Sequence, residues 1–547
     1  MSRPLPLITP FNEFFWTGGA DDELRFQRCQ SCGTLRQPPA PICAVCRSTE
    51  TEIATVSGRG TVVGFTVNHH QWLLDPAPPY VIAIVAIDED DRVRLTTNIV
   101  GCDPDDVFVG MRVAVKFEQH EDVWLPMFEP TDDQEPGPLP EEEDVRPLIR
   151  PMLGTHKFED DVAITGIGMS RVGRRLMVDP LALTVDACRR AVEDAGLTLG
   201  DIDGLSTYPG PEGLASGHSE GGVTALEEAL RFHPTWINGG IELPGQSGAI
   251  VAAMLAISAG LCRHVLCFRT VWESTHATLA AMAPPPPMAR LVGDFTTWRF
   301  PFGAMSAANW IGMCASNHFH RYGTTREALG WIALTARAHA GLNPVAIYRD
   351  PMSMDDYLSA RMITTPFGLY DCDVPCDGCV AVVVSAIDAS RDLRHPPVLV
   401  DAVGTQIAER GSWDQSTLTH EPMVMGPAAH LWTRTTLQRS DVDVALIYDG
   451  FTFNCLSWIE ALGFCDIGEG GAFVEGGTRI ALDGDLPLNP HGGQLSAGRT
   501  HGFGFVHEAV VQLRHDAGER QVRDAGVALV TTGGGTPGNC LLLVRDH

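Results

Sequence analysis

At 547 residues the chain is too long for one ordinary core, so at least two domains are expected. Apolar residues make up 44% of it, enough for substantial cores. The net charge of −29 argues against nucleic acid and against anionic membrane surfaces, while leaving room for a local Arg/Lys cluster that holds a small acidic ligand. The N-terminal MSRPLPLITPFNEFF has no long apolar stretch of the signal-peptide kind, and the longest apolar run, 249–262, is too short to span a bilayer. Fifteen cysteines show no secreted disulfide spacing, so a reducing, cytoplasmic setting is expected.

In chain order, residues 11–28 form a short aromatic, helix-like lead-in. Cys29, Cys32, Cys43 and Cys46 follow as CxxC–x10–CxxC. Each CxxC knuckle lets two thiolates converge on one ion, and four thiolates fill the tetrahedron of a structural zinc without leaving an open position. Redox CxxC pairs are the alternative, but no βαβ pattern surrounds them. Residues 55–130 alternate β-rich runs with turns (GRGTVVGFTVNH, YVIAIVAIDEDDRVRLTTNIV, MRVAVKFEQ), the pattern of a small barrel of the OB kind. The acidic, proline-rich TDDQEPGPLPEEEDVRP at 131–147 has linker composition.

From VAITGIGMS at 162 onward, strands alternate with amphipathic helices such as LALTVDACRRAVEDAGL (181–197), a layered α/β pattern. PPVLVDAVGTQ at 396–406 echoes VAITGIGMS as a second start. Between the two, residues 280–370 are rich in Pro, Trp and His and read as a loop excursion that covers a site.

Several segments carry a family resemblance. The zinc ribbon with PYVIAIVAID and VGMRVAVKF is similar to the DUF35 family, a rubredoxin-like ribbon joined to an OB fold, whose members partner thiolase-like proteins acting on acyl-CoA esters. AVEDAGLTLGDIDGL, CDVPCDGCVAVVV, IYDGF (447–451), GGQLSAGRTHGFGF and TTGGGTPG (531–538) resemble the thiolase superfamily, and the YDGF and LSAGRTHGFGF variants look most like the steroid side-chain-cleaving aldolases. The resemblance implies residues 1–130 as ribbon and OB fold, 131–160 as linker, and 161–547 as an α/β thiolase-like fold of duplicated five-layer αβαβα halves, about 161–395 and 396–547. It further implies a homodimer through the thiolase-like part and an acyl-CoA substrate that brings coenzyme A.

Thiolase chemistry itself is missing. Where the superfamily has catalytic histidines and a cysteine, this chain has Tyr448, Arg499 and Thr531, and no cysteine lies between Cys188 and Cys262, where the nucleophile should open a helix near 244. MCASNH at 313–318 mimics the nucleophile sequence, but its apolar helix-like setting reads Cys314 as buried and structural. Cys372, Cys376 and Cys379 read as packing residues rather than a second metal site.

A site that binds acyl-CoA without a nucleophile suits a retro-aldol reaction of a 3-hydroxyacyl-CoA, which needs an acid/base pair and an oxyanion hole. Tyr448 is the first candidate for the proton, provided that Arg499 or His501 lowers its pKa. His501 has an intrinsic pKa suited to proton transfer, and Asp449 caps or orients its loop. Gly533, Gly534 and Gly535 follow a buried strand, where N–H groups could hold a thioester oxygen beside Arg499. The aldolases tend to carry a tyrosine where this chain has Phe503, so His501 or Tyr370 would substitute. Two alternatives remain open: an acyl-CoA or lipid carrier without chemistry, and an acyltransferase that uses an unorthodox cysteine.

Overall fold

The computed structural model describes residues 3–133, 135–282, 289–293, 295–534 and 537–546. The zinc ribbon is a three-stranded antiparallel sheet of β1 (Leu24–Cys29), β2 (Leu35–Arg36) and β3 (Thr51–Val56), ordered β2-β1-β3. The barrel follows as β4 (Arg59–Asn68), β5 (Tyr80–Ile87), β6 (Asp90–Ile99), β7 (Arg112–His120) and β8 (Val123–Pro130), closed by pairing of β4 with β7. β5 is buried along its whole length because both of its faces are covered, which explains its unbroken apolar run VIAIVAI.

The rest of the chain builds a nine-stranded mixed sheet. Its first half comprises β9 (Val162–Met169), β10 (Gly204–Thr207), β11 (Trp236–Gly239) and β12 (His264–Trp272). The hairpin β13 (Met362–Thr364) and β14 (Phe367–Gly368) leaves this sheet, and β15 (Asp377–Ala386) returns to it. β16 (Val398–Gly404), β17 (Val444–Leu446), β18 (Val527–Thr532) and β19 (Asn539–Arg545) form the second half. The order is β11-β10-β12-β15-β9-β16-β19-β18-β17, and the halves meet edge to edge where Ile164 and Ala163 of β9 pair with Val398 and Leu399 of β16.

Alternation along β15 assigns the layers. Cys379, Ala381 and Val383 pack against Leu183, Ala187 and Ala191 of the outer helix Pro180–Asp194, while Val380, Val382 and Val384 face the central core. Helix Phe503–Leu513 lies in that core and touches β9 and β15 of one half and β17, β18 and β19 of the other. A central helix shared by the two halves, with an outer helix on the far face of the first, is the arrangement of a thiolase-like fold. Among the described residues no helix is long and apolar enough to cross a membrane.

The 280–370 excursion differs from expectation. Much of it is a platform for the barrel rather than a cover for a site. The β13–β14 hairpin extends the barrel sheet beside β4, with Thr364 opposite Asn68. Thr66 Oγ1 donates to the Thr365 carbonyl at 2.6 Å, and Asn317 of helix Ala307–Tyr322 donates to the Val63 carbonyl at 2.7 Å. Opposite, β6 meets the second half, where Thr96 donates to Asp414 at 3.0 Å and the buried Arg299 faces the same carboxylate at 3.3 Å. The linker is strapped down as well, Glu142 accepting from the Thr417 hydroxyl at 2.7 Å.

Candidate active site

The four ribbon cysteines come together as their spacing predicts. Cys29 and Cys46 Sγ are 3.5 Å apart and Cys32 and Cys43 Sγ 3.6 Å, with all four within 4.8 Å of one another. Zinc–sulfur bonds of about 2.3 Å in a tetrahedron require sulfurs about 3.8 Å apart, so the thiolates fit a structural zinc. Cys372, Cys376 and Cys379 form no such group among the described residues, and Cys376 and Cys379 are fully buried.

The second site lies where three loops converge. Tyr448 follows β17, and its backbone N–H donates to Thr531 Oγ1 on the neighbouring β18 at 2.8 Å, which gives the Thr531 hydroxyl a positioning role. Asn489 locks the preceding residue in both directions, accepting from the Ile447 N–H and donating to its carbonyl, each at 2.8 Å. Asp449 Oδ1 accepts the Gln494 N–H at 2.8 Å and so ties its own loop to the one that carries Arg499 and His501. Gln494 in turn accepts the His501 N–H at 2.9 Å.

Arg499 is clamped between two buried carboxylates. Its Nη1 donates to Asp373 at 2.9 Å and its Nε to Glu273 at 2.8 Å. His218 closes on the other oxygen of Glu273. Burial works to raise the Glu273 carboxyl, but Arg499 and the hydrogen bond from His218 hold it far below the usual range. Burial pushes Asp373 the other way, up to about 7, with Arg499 opposing and Glu273 reinforcing the shift.

His501 is held by the fully buried Arg269, whose Nη2 lies 2.5 Å from Nδ1. A guanidinium can only donate, so Nδ1 accepts and the ring proton sits on Nε2, which faces Glu273 at 3.7 Å. Burial first, and then Arg269, drive the His501 pKa well below that of a free histidine, so the ring is neutral. His218, Glu273 and His501 are close enough together to suggest a metal triad. Two guanidiniums already occupy this cluster and one His501 nitrogen carries its proton, an arrangement that suits a charge network better than a cation.

These contacts revise the picture of Tyr448. His501 is uncharged, and the pull of Arg499 on the phenol, together with a hydrogen bond from Gln494, is outweighed. Burial, reinforced by Asp373 and Glu421, instead raises the Tyr448 pKa far above its ordinary value. The hydroxyl stays protonated and acts as a hydrogen-bond donor. Tyr370 is engaged elsewhere, under the Arg337 guanidinium, and Phe503 is fully buried at the start of its helix.

The glycine turn after β18 is only partly free to bind an oxygen. The Gly534 N–H donates to Glu421 at 2.8 Å, and the Gly533 carbonyl accepts from Gln246 at 2.6 Å. Gly535 lies outside the described residues. Around this turn and Tyr448, several buried polar atoms have no hydrogen-bond partner among the described residues: the donors Trp458 Nε1, Gln494 Nε2 and Asn539 Nδ2, and the acceptors Gln246 Oε1, Glu421 Oε2 and Asp449 Oδ2. Buried polar atoms are ordinarily paired, so a cluster of orphans marks a place built for a polar ligand.

The turn expected to hold a nucleophile cannot hold one. Gly245 precedes helix Gly248–Ser258 with φ of +64°, and a Cβ there would stand 2.3 Å from Thr532 Oγ1. Ser247 is buried and donates to Asn539 at 2.6 Å. Cys314 is fully buried in helix Ala307–Tyr322, and burial raises its thiol pKa far above the ordinary value.

Sequence reasoning missed His218, Arg269, Glu273, Asp373 and Glu421. Only Asp373 stood inside a segment singled out from the sequence, CDVPCDG, and there the cysteines drew the attention.

Comparison with known proteins agrees with this architecture. Residues 16–52 match the profile of the ChsH2 rubredoxin-like zinc ribbon domain, residues 54–118 that of the ChsH2 C-terminal OB-fold domain, and residues 410–544 the thiolase C-terminal domain-like profile. A steroid side-chain-cleaving aldolase of Thermomonospora curvata is 33% identical over 394 residues, spanning 70% of this chain and 98% of the relative. A 17-hydroxy-3-oxo-4-pregnene-20-carboxyl-CoA lyase of Mycobacterium tuberculosis is 31% identical over 393 residues, spanning 70% of this chain and 98% of that one. The solved Ltp2-ChsH2(DUF35) aldolase superposes with a TM-score of 0.63 at 30% identity, over 71% of this chain and 98% of the other. The chain belongs to the thiolase-like family of steroid side-chain-cleaving aldolases, with a ChsH2-type zinc ribbon and OB fold joined to it in one polypeptide.

Proposed function

We propose that this chain is a carbon–carbon lyase that cleaves a 3-hydroxyacyl-CoA, its acyl group a steroid or similarly bulky side chain, into a ketone or aldehyde and a shorter acyl-CoA. The relatives are an aldolase and a CoA lyase by name, and the absence of space for a nucleophile at Gly245 agrees with cleavage that forms no acyl-enzyme. The observation that carries the reading is the ring of orphaned buried polar atoms around a neutral Tyr448 hydroxyl, wired to the Arg499–Glu273–Asp373 and Arg269–His501 pairs.

In this reading the Tyr448 hydroxyl donates a hydrogen bond to the oxygen that becomes the carbonyl. Asp449 and Gln494 position the loop, Arg499 with its two carboxylates sets the charge of the pocket, and His501 lines it as a neutral ring. Unpaired donors around the 531–534 turn hold the thioester oxygen as the enolate forms. A carrier has no use for a buried polar cluster of Tyr448, Arg499 and His501, whereas a lyase must have one, which favours chemistry over simple binding.

A homodimer through the thiolase-like part fits the edge strand β11, which ends the sheet and leaves Ile237 and Ile241 about half exposed. A reducing, cytoplasmic setting fits four zinc-type thiolates and a coenzyme A ester substrate.

The test offers purified protein a panel of 3-hydroxyacyl-CoAs. Release of an acyl-CoA together with a carbonyl product is expected. Tight binding with no cleavage of any member would replace the lyase by the carrier.

A further inference from the structure

A neutral phenol leaves the reaction without a base. We infer that Glu421 is the proton acceptor of the cleavage, placed beside Tyr448 by the turn at Gly534. This rests on the lyase reading above.

Glu421 lies on the loop between β16 and helix Met425–Trp432 and is 1% exposed. Its own N–H donates to Ser457 Oγ at 3.0 Å, which fixes the backbone. Oε1 accepts the Gly534 N–H at 2.8 Å, and Oε2 has no partner among the described residues. Gly534 in turn lies against the Tyr448 hydroxyl, so one residue touches both groups.

The other buried carboxylates of the site are committed. Asp373 and Glu273 hold Arg499. Asp449 also has an unpaired oxygen, but that atom lies so close to the backbone of Gly493 that a Cβ there would be 1.9 Å away. The backbone thus crowds the free oxygen of Asp449, whereas the backbone contact of Glu421, the Gly534 N–H, falls on Oε1 and not on Oε2, and the Cβ position of Gly533 is 3.7 Å from Oε1 and 3.7 Å from Trp458 Nε1, a donor without a partner among the described residues.

The surroundings also suit proton exchange near neutrality. Burial raises the Glu421 carboxyl to about 7, opposed by Asn454, the Gly534 N–H and His420, and reinforced by Glu409. From other elements it faces Tyr448, Asn454 and Trp458 on the 447–462 segment, and Cys314 on helix Ala307–Tyr322. A base with a pKa near the working pH is the effective kind.

The step balances within the site. The β-hydroxyl proton passes to the Glu421 carboxylate, the O–H electron pair forms the C=O bond, and the Cα–Cβ pair moves into the thioester enolate. The enolate carbon then takes the proton back from Glu421, and the protein is unchanged.

With a 3-hydroxyacyl-CoA that the wild type cleaves, kcat/KM should rise with pH through about 7 as Glu421 ionises. Glu421→Gln keeps an acceptor for the Gly534 N–H but cannot titrate. It is expected to lower kcat by about 10²–10⁴-fold and to remove that limb of the profile. Asn454→Asp keeps the acceptor for the Phe451 N–H and sets a second carboxylate beside Glu421, which should move the limb to higher pH. It also carries the test should the glutamine variant fail to fold. A Glu421→Gln enzyme within tenfold of wild type, or a limb unmoved in Asn454→Asp, overturns the inference while leaving the lyase standing. A wild type that cleaves nothing overturns both.

Discussion

Gly534 lies so close to Tyr448 that a Cβ at position 534 would stand 2.4 Å from the phenolic oxygen. Its φ of +82° is one that residues with a side chain rarely adopt, so two constraints hold glycine here. The hydroxyl is thereby seated against a turn rather than against a side chain that could rotate away. Tyr448→Phe keeps the ring in place, including its edge contact with Phe505, and deletes only the donor. The expected loss in kcat is about 10²–10⁴-fold, with binding of a non-cleavable acyl-CoA nearly unchanged. Gly534→Ala should lose activity on a similar scale and also cost about 1–3 kcal/mol of stability from strain. Steady-state kinetics with calorimetric binding separate the two, and a Tyr448→Phe enzyme of wild-type kcat would remove Tyr448 from the mechanism.

Asp449 couples the site to pH. Burial raises its carboxyl to about 7, with the N–H groups of Gln494 and Leu495 opposing. A carboxyl raised in the folded state keeps a proton that the unfolded chain releases above about 4, so the folded state binds more protons between about 4 and 7. Stability contributed by this group is therefore present at low pH and lost as pH rises through about 7. Asp449→Asn does not titrate. Its stability relative to wild type should improve by on the order of a few kcal/mol between pH 5 and pH 8, as measured by urea denaturation at the two values. A gap that does not change with pH would show that Asp449 is ionised throughout.

The zinc ribbon allows a metal test independent of turnover. The purified chain should hold one zinc, and a strong chelator or Cys32→Ser should release it and disorder the strands β1 to β3. Leu24 and Phe26 of β1 pack into the same core as Val62, Val85, Leu95, Val113 and Phe128, so amide protection of the barrel should weaken but persist, most of all in β5, which is buried along its whole length. Elemental analysis that finds no metal, or iron with redox cycling, would contradict a structural zinc.

Features carried by short stretches of chain were legible in the sequence. Two CxxC knuckles, the apolar run of β5 and the glycine turn at 533–534 each declare themselves within a few residues. The three loops around Tyr448 were legible through family resemblance, because each keeps its own pattern. What brings charges to those loops was not legible. Arg269 reaches His501 across 232 positions and Arg499 reaches Glu273 across 226, and nothing local distinguishes Glu273 in VWEST from a surface glutamate. The docking hairpin was hidden for the same reason: Thr66 meets Thr364 across 298 positions, in a stretch whose composition suggests only a loop. The raised pKa of Tyr448 was not legible because its chief causes, burial and the nearby carboxyls of Asp373 and Glu421, come from distant parts of the chain and outweigh Arg499.

The strongest discrimination between lyase and acyltransferase comes from Cys314. It is the one cysteine whose sequence, MCASNH, imitates a thiolase nucleophile, yet its side chain is fully buried against the central core. Burial disfavours the thiolate, with Glu142 and Glu421 adding to the effect and Arg94 and Arg299 only partly offsetting it. The thiolate is the form that attacks a thioester, so this sulfur is chemically quiet. Cys314→Ala removes one buried sulfur and should cost about 1 kcal/mol of stability from the small void it leaves. Turnover should remain within a small factor of wild type. Intact-mass measurement after incubation with substrate should find no acyl group on any cysteine, because cleavage without a nucleophile passes through no acyl-enzyme. A trapped acyl group, or abolished turnover in a folded Cys314→Ala protein, would reinstate covalent acyl transfer.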